Sequence, residues 1–301
     1  MEAGPRSFES AVQEGKRHAL AAIRRQHENP ANPRDILDGH DAEHTENVVR
    51  RTGVILRTIQ EAAPGRVADR DIGLGELIAA WHDVHMEYRA VPEQDGTFTK
   101  LIRKRVVPGE LEKGHNERES AQLLDAFMAL LENREAFTDD DRKLAHDAIA
   151  HTIPDFENGT AVQKELHDGS HEIARALALA DLGDAGMDGF EAYKKQGDGF
   201  FREEHMDIME ALREGRALSS EDQEYFRSRM LAWSSFQPGF AEGRARRLEQ
   251  ELAGLPESAQ EAVRKLFDKF DDTIRRSKDL AERRERLTFE ELARDMGYIG
   301  V

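Results

Sequence analysis

Leu77-Ile78-Ala79-Ala80-Trp81 runs without interruption into His82 and Asp83. An apolar run of this kind belongs in a core, so the imidazole and the carboxylate at its end face desolvation unless something pairs with them. A divalent metal ion meets that demand most completely, because it takes neutral imidazole and ionised carboxylate together. Two other stretches repeat the pattern. Ala148-Ile149-Ala150 runs into His151, and Ala176-Leu177-Ala178-Leu179-Ala180 runs into Asp181. A lone histidine on an apolar face is more often a hydrogen-bonded core residue, and a lone aspartate after such a run is more often a helix terminus. Three such endings in one chain favour a shared metal-based chemistry.

The elements that must position these residues read as helices throughout. Residues 7–26 carry Phe8, Val12, Ala19, Leu20 and Ile23 at helical spacing,. Residues 36–61 hold His40 and His44, one turn apart, before a stripe of Val48, Val49, Ile55, Leu56 and Ile59,. The opening stretch occupies a helix over about residues 74–88. Residues 89–114 read as a long irregular loop with Pro92, Gly96, Pro108 and Gly109, and loops of that length are often functional,. Further helices are expected over 116–132, 138–151, 173–182, 190–195, 200–213, 220–236 and 240–252, with Pro238-Gly239 breaking the last two apart,. Residues 258–284 are charged, with Val263, Leu266, Phe270 and Ile274 at steps of three and four, and Thr288 with Glu291 forms a capping box,. No strand-like alternation stands out, so the expected fold is all-α.

Composition narrows the function. The chain has 301 residues, 43 Lys and Arg against 60 Asp and Glu, and a net charge of -17. Such acidity argues against non-specific nucleic-acid binding. Cysteine is absent, which excludes disulfides, thiolate metal sites and cysteine nucleophiles,. The first ten residues lack the apolar segment of a signal peptide, and no stretch is apolar enough to span a bilayer,. A soluble, cytoplasmic protein is expected.

His44 followed by Thr45-Glu46-Asn47-Val48, then His82-Asp83, then Ala180-Asp181, resembles the ordered H…HD…D signature of the HD superfamily of metal-dependent phosphohydrolases. The order, the spacing and the apolar setting carry the match; other His-Asp pairs, at His40-Asp41, His146-Asp147 and His167-Asp168, lack that setting. Gly114-His115-Asn116-Glu117-Arg118-Glu119-Ser120-Ala121 is similar to the segment after the doublet in one HD branch, which carries an N-E-x-x-S-A pattern there. Phe240-Ala241-Glu242-Gly243-Arg244 is a fainter echo of its C-terminal part.

The resemblance spans about residues 36–250 and implies an HD-like helical bundle over 36–252; the N-terminal helix within 1–35, expected to pack on the core, and the charged helical extension over 253–301 lie outside it. It implies that His44, His82, Asp83 and Asp181 bind a divalent metal, with manganese, iron, nickel, zinc and magnesium all open,. Some branches hold a second metal, with the doublet's aspartate as a bridge; that would be Asp83, and His115 and His151 are candidates for the second metal or for a substrate phosphate. The implied reaction is hydrolysis of a nucleotide or other small phosphorylated substrate by attack of a metal-bound water. Lys100, Arg103, Lys104 and Arg105 are candidate phosphate-binding residues, or a solvated patch,. His85 and Glu87 are candidate proton donors, or exposed helix residues, and Trp81 is expected in the core. A di-iron oxygenase on the same fold and a non-catalytic metal-bound sensor are the alternative readings. The apolar positions of the extension either pack back on the domain or form a homodimer contact.

Overall fold

The computed structural model describes residues 6–28, 35–105, 114–157, 160–163, 166–213 and 217–298. The chain is mostly helical. α1 (Phe8–Ile23) starts at Ser7, whose side chain accepts from Ser10 N, and buries Ala11, Val12, Ala19 and Ile23. α2 (Ala42–Ala62) starts at Asp41, and α3 (Asp69–Trp81) carries the apolar run that ends in the doublet. α4 (His115–Met128), α5 (Asp139–Ala150) and α6 (Glu172–Asp181) follow. Thr138 and Asp141 exchange the hydrogen bonds of a capping box at the start of α5,.

α6 is the central rod. Every residue from 172 to 180 is buried, as expected of a helix surrounded by others. Its alanines at 174, 176, 178 and 180 keep it thin enough for α2 and α3 to approach. Gly75 serves the same end, since a Cβ there would lie 2.5 Å from Leu56 Cδ1 of α2. Trp81 packs at the edge of this core and donates its indole N–H to Gly15 O of α1 at 3.1 Å, so its packing role stands.

Two strand pairs correct the all-α expectation. Residues 89–105 are not a loop. β1 (Tyr88–Asp95) pairs antiparallel with β2 (Phe98–Arg105), with Asp95 opposite Phe98 across a two-residue turn at Gly96 (φ +62). β2 packs on α7 and α8 and buries the charged Arg103, so the ribbon lacks the apolar alternation of a sheet packed on a core,. Pro92 suggests a break, yet an edge strand tolerates a proline,. A short pair, β3 (Asp155–Glu157) and β4 (Thr160–Val162), follows α5. Pro108 and Gly109 lie outside the described residues.

The second half also departs from expectation. α7 (Phe190–Glu204) runs through the anticipated gap at 196–199, and α8 (Met206–Arg213) begins after His205. α9 (Ser220–Leu252) continues straight through Pro238. Burial on both sides of the proline, by Phe226 and Met230 before it and Ala241, Leu248 and Leu252 after it, outweighs the lost backbone hydrogen bond,. Tyr193 braces the same turn by donating its hydroxyl to Gln237 O at 2.7 Å.

The C-terminal helices pack back on the body. α10 (Glu257–Arg264) and α11 (Phe270–Arg284) contribute Ala259, Val263 and Phe270 to the main core, while α12 (Phe289–Asp295) joins a second cluster with Phe201, Ile208 and Met230. Arg284, 1% exposed, donates to both Asp198 oxygens (2.9 and 2.6 Å), to Asp295 (2.8 Å) and to Ser234 (3.1 Å), which locks α11 to α7 and α9. Among the described residues, no helix is long and apolar enough to cross a membrane.

Candidate metal centre

Helix ends deliver the four residues. His44 is in the first turn of α2, where the Asp41 carboxylate caps its backbone N–H at 2.7 Å. The expected helix over 36–61 starts at Ala42 instead, because Asp41 is extended and serves as the cap,. His82 and Asp83 follow the last residue of α3, and Asp181 is the last residue of α6. Two carboxylates therefore sit at two helix C-termini, where the backbone dipoles already point negative. Arg51, fully inside, donates to Ala180 O (2.8 Å) and to Asp188 (2.8 Å), which fixes the end of α6 and hence Asp181.

The four donors converge, all lying within 4.8 Å of one another. His44 Nε2 is 3.6 Å from Asp83 Oδ2 and 3.5 Å from Asp181 Oδ1, and His82 Nε2 is 3.0 and 3.5 Å from the same two oxygens. Ligand bonds of about 2.0–2.2 Å place donors about 3.0–3.5 Å apart around one ion. His82 Nδ1 bonds to Ala79 O at 2.7 Å, so that nitrogen carries the proton and Nε2 turns a lone pair toward the carboxylates,. That Nε2 is buried and makes no hydrogen bond. A nitrogen lone pair facing two carboxylates is repulsive unless a cation, proton or metal, sits among them. Nitrogen and oxygen donors of this kind fit a divalent transition metal, and the group can hold one,.

Without a metal, protons carry the compensation. Burial lowers the pKa of His44, but hydrogen bonds and charge from Asp181 and Asp83 outweigh it and raise the group to about 9. His82 is raised well above its usual value against the same burial, chiefly by Asp83. Burial works to raise Asp83 and Asp181, and the two imidazoles hold both well below the ordinary carboxylate range.

The centre opens into a cavity of about 510 Å³. His44, Asp83 and Asp181 line it together with Glu117 and Asp184, and so do Tyr193, Phe200, Trp233, Phe236 and Phe240, with the Phe200 ring 6.1 Å from that of His44. Burial raises the Asp184 carboxyl. His40 also lines the cavity but is outside α2 and outside the donor group. Its Nδ1 lies 2.7 Å from Glu203 Oε1, and Tyr88 donates its hydroxyl to the same oxygen at 3.0 Å. Burial opposes ionisation of Glu203, yet His40, Arg103 and the Gly39 N–H hold its pKa down to about 2.

The other anticipated residues are dispersed. His151 caps α5, with Nδ1 on Asp147 O (2.7 Å) and Nε2 on Ser170 Oγ (2.9 Å), and does not join the four donors. His115 stands instead with His85 and Glu87. The basic residues are on β2, whose alternation separates Lys100 and Lys104 from Arg103 and Arg105,. Lys100 and Lys104 both pair with Glu93. Lys104 and Arg103 reach the cavity wall, Arg103 donating to Ile36 O at 2.9 Å, while the Arg105 side chain lies outside the described residues. Glu203, Arg51, Asp184 and the aromatic wall escape sequence reading, since each lies on an ordinary amphipathic helix or turn with no local mark of its role.

No family model, curated protein or solved structure matches the chain.

Proposed function

We propose that this chain is a metal-dependent phosphohydrolase or phosphodiesterase of the HD type, acting on a nucleotide or other small phosphorylated molecule. The observation that carries the reading is the buried His44, His82, Asp83 and Asp181 group beside a cavity that aromatic side chains also line. A divalent ion held there supplies Lewis acidity, polarising a phosphoryl oxygen and acidifying water. His44, His82, Asp83 and Asp181 hold and orient it, and Asp83 is the bridge if a second ion joins. Arg103 and Lys104, with Arg51, bring positive charge to a cavity wall that also carries several carboxylates, where a substrate phosphate needs it,. The aromatic lining excludes water and offers flat surfaces to an apolar or planar portion of the substrate. A nucleobase suits that lining better than a sugar does.

The test is phosphate release from a panel of nucleotides and sugar phosphates, each with manganese, nickel, iron(II), zinc or magnesium. We expect turnover with nucleotides, lost in His82→Ala and Asp83→Ala while helical content is kept. No release with any pairing, together with unchanged metal content in both variants, would overturn the proposal.

A further inference from the structure

The segment between α3 and β1 and the start of α4 bring a second set of donors together. His85 and Glu87 come from the segment, His115 from the first position of α4. His115 Nε2 lies 3.4 Å from Glu87 Oε2, and His85 Nε2 lies 3.8 Å from the same oxygen. Both separations exceed the roughly 2.7–2.9 Å of a charge-assisted imidazole–carboxylate hydrogen bond. The first falls within, and the second a little above, the about 3.3–3.6 Å that bonds of about 2.0–2.2 Å set between neighbouring donors of one tetrahedral ion. His85 Nε2 is shielded from solvent and has no hydrogen-bond partner. The two imidazole rings meet edge to face at 86°, with centroids 5.8 Å apart.

The backbone behind these donors is held in place. Ser120 Oγ accepts from His85 N at 3.0 Å, and Asn116 Oδ1 accepts from Glu87 N at 3.1 Å. Asn116 Nδ2 returns a bond to Glu87 O at 3.4 Å. Asn116 and Ser120 are both buried and lie one turn apart on α4, so a single helix face clamps the segment at two points,. Ligands fixed from behind in this way lose little freedom on binding an ion.

We propose that His85, Glu87 and His115 form a second divalent-metal site of zinc type, with no donor in common with the His44 group. Two imidazoles and one carboxylate select a borderline transition metal over magnesium or calcium, which prefer all-oxygen shells. Three protein ligands leave a fourth position open to solvent or a ligand. The site stands independently of the phosphohydrolase reading.

The full chain, stripped with EDTA and titrated with zinc chloride, tests it by calorimetry and elemental analysis. The unmodified chain binds zinc in two classes. Glu87→Gln, at a half-exposed position where folding is not at stake, and the His85→Ala/His115→Ala pair each lose one equivalent and keep the other. His44→Ala keeps the equivalent that those variants lose. Asn116→Ala weakens that class roughly 10- to 100-fold. Unchanged zinc content in the His85→Ala/His115→Ala variant, or no zinc binding by a folded His44→Ala variant, overturns the proposal. No phosphate release from the unmodified chain, with His44→Ala still binding one equivalent, would instead count against the function proposed above.

Discussion

His44, His82, Asp83 and Asp181 sit in the core, whereas His85, Glu87 and His115 sit at a rim where Glu87 keeps 50% of its side chain exposed. The two groups use the same donor types within a few residues of one segment, and they differ in what holds them together without an ion. In the deep group, burial and two helix C-termini make separated carboxylates costly, so a cation of some kind is obligatory. At the rim, water solvates Glu87, and the group persists because α4 clamps the backbone. The deep group is therefore coupled to the stability of the fold, and the rim group only to the ion concentration around it.

The largest expected effect tests the first half of that contrast. Asp83→Ala removes the carboxylate nearest His82, at 3.0 Å, which also lies 3.6 Å from His44. Hydrolysis should fall by about three orders of magnitude, equivalent to about 4 kcal/mol of transition-state stabilisation. The deep metal should be lost with it, as elemental analysis would register. A variant that keeps both the metal and the rate would show that Asp83 is a structural partner of His82 and nothing more.

The second effect concerns pH. In the metal-free protein His44 has a folded pKa of about 9 against an ordinary value of 6.5. A raised pKa means that the protonated form is favoured by folding, so the stability it contributes is fully present below about 6.5 and lost as pH rises through about 9. The size is about 3 kcal/mol. The depressed carboxylates act in the opposite direction, contributing above their ordinary pKa and losing that contribution in acid. Thermal unfolding of the EDTA-treated chain should therefore show a falling Tm between pH 6.5 and 9.5. Loading with metal should flatten the fall, because the ion replaces the protons. A level curve in the metal-free state would mean that the deep group does not depend on a cation.

This coupling also explains what was legible in the sequence. The deep group announced itself because each of its carboxylates ends an apolar run, at Trp81 and at Ala180, and residues that must be buried beside charge leave a pattern along one helix. The rim group left no such pattern. His85, Glu87 and His115 are individually ordinary, and they meet only because the chain leaves after Glu87 into the β1–β2 hairpin and comes back at His115. The hairpin itself carried one signal, Gly96, which takes a positive φ at the first position of the two-residue turn,. Pro92 and the solvated charges on both strands obscured it. Asn116 and Ser120 had a visible pattern, but its use, a clamp on the backbone of residues 85–87, requires the fold to see.

A third test uses the rates of metal loss. An ion at the rim can leave directly to solvent, whereas one in the deep group must wait for a local opening of the core. Chelation of a chain loaded with two zinc equivalents should be biphasic, with rates separated by on the order of tenfold or more. The fast phase should be missing in Glu87→Gln. A single phase would place both ions in equally open surroundings and remove the contrast.

The smallest effect concerns the hairpin that lies between the two groups in the chain. Lys100 and Lys104 share a face of β2 and the same partner, Glu93, yet only Lys104 lines the cavity. As exposed surface ion pairs both are weak, so neither substitution should shift Tm by more than a few degrees,. If Lys104 meets substrate phosphate from the wall, Lys104→Ala should raise KM by about two- to fivefold, the effect of a comparably weak contact. Lys100→Ala should leave KM unchanged. Equal effects would assign both lysines to the long-range field of the hairpin. An effect of Lys100 alone would mean that phosphate approaches along the outer face of β2, away from the aromatic wall.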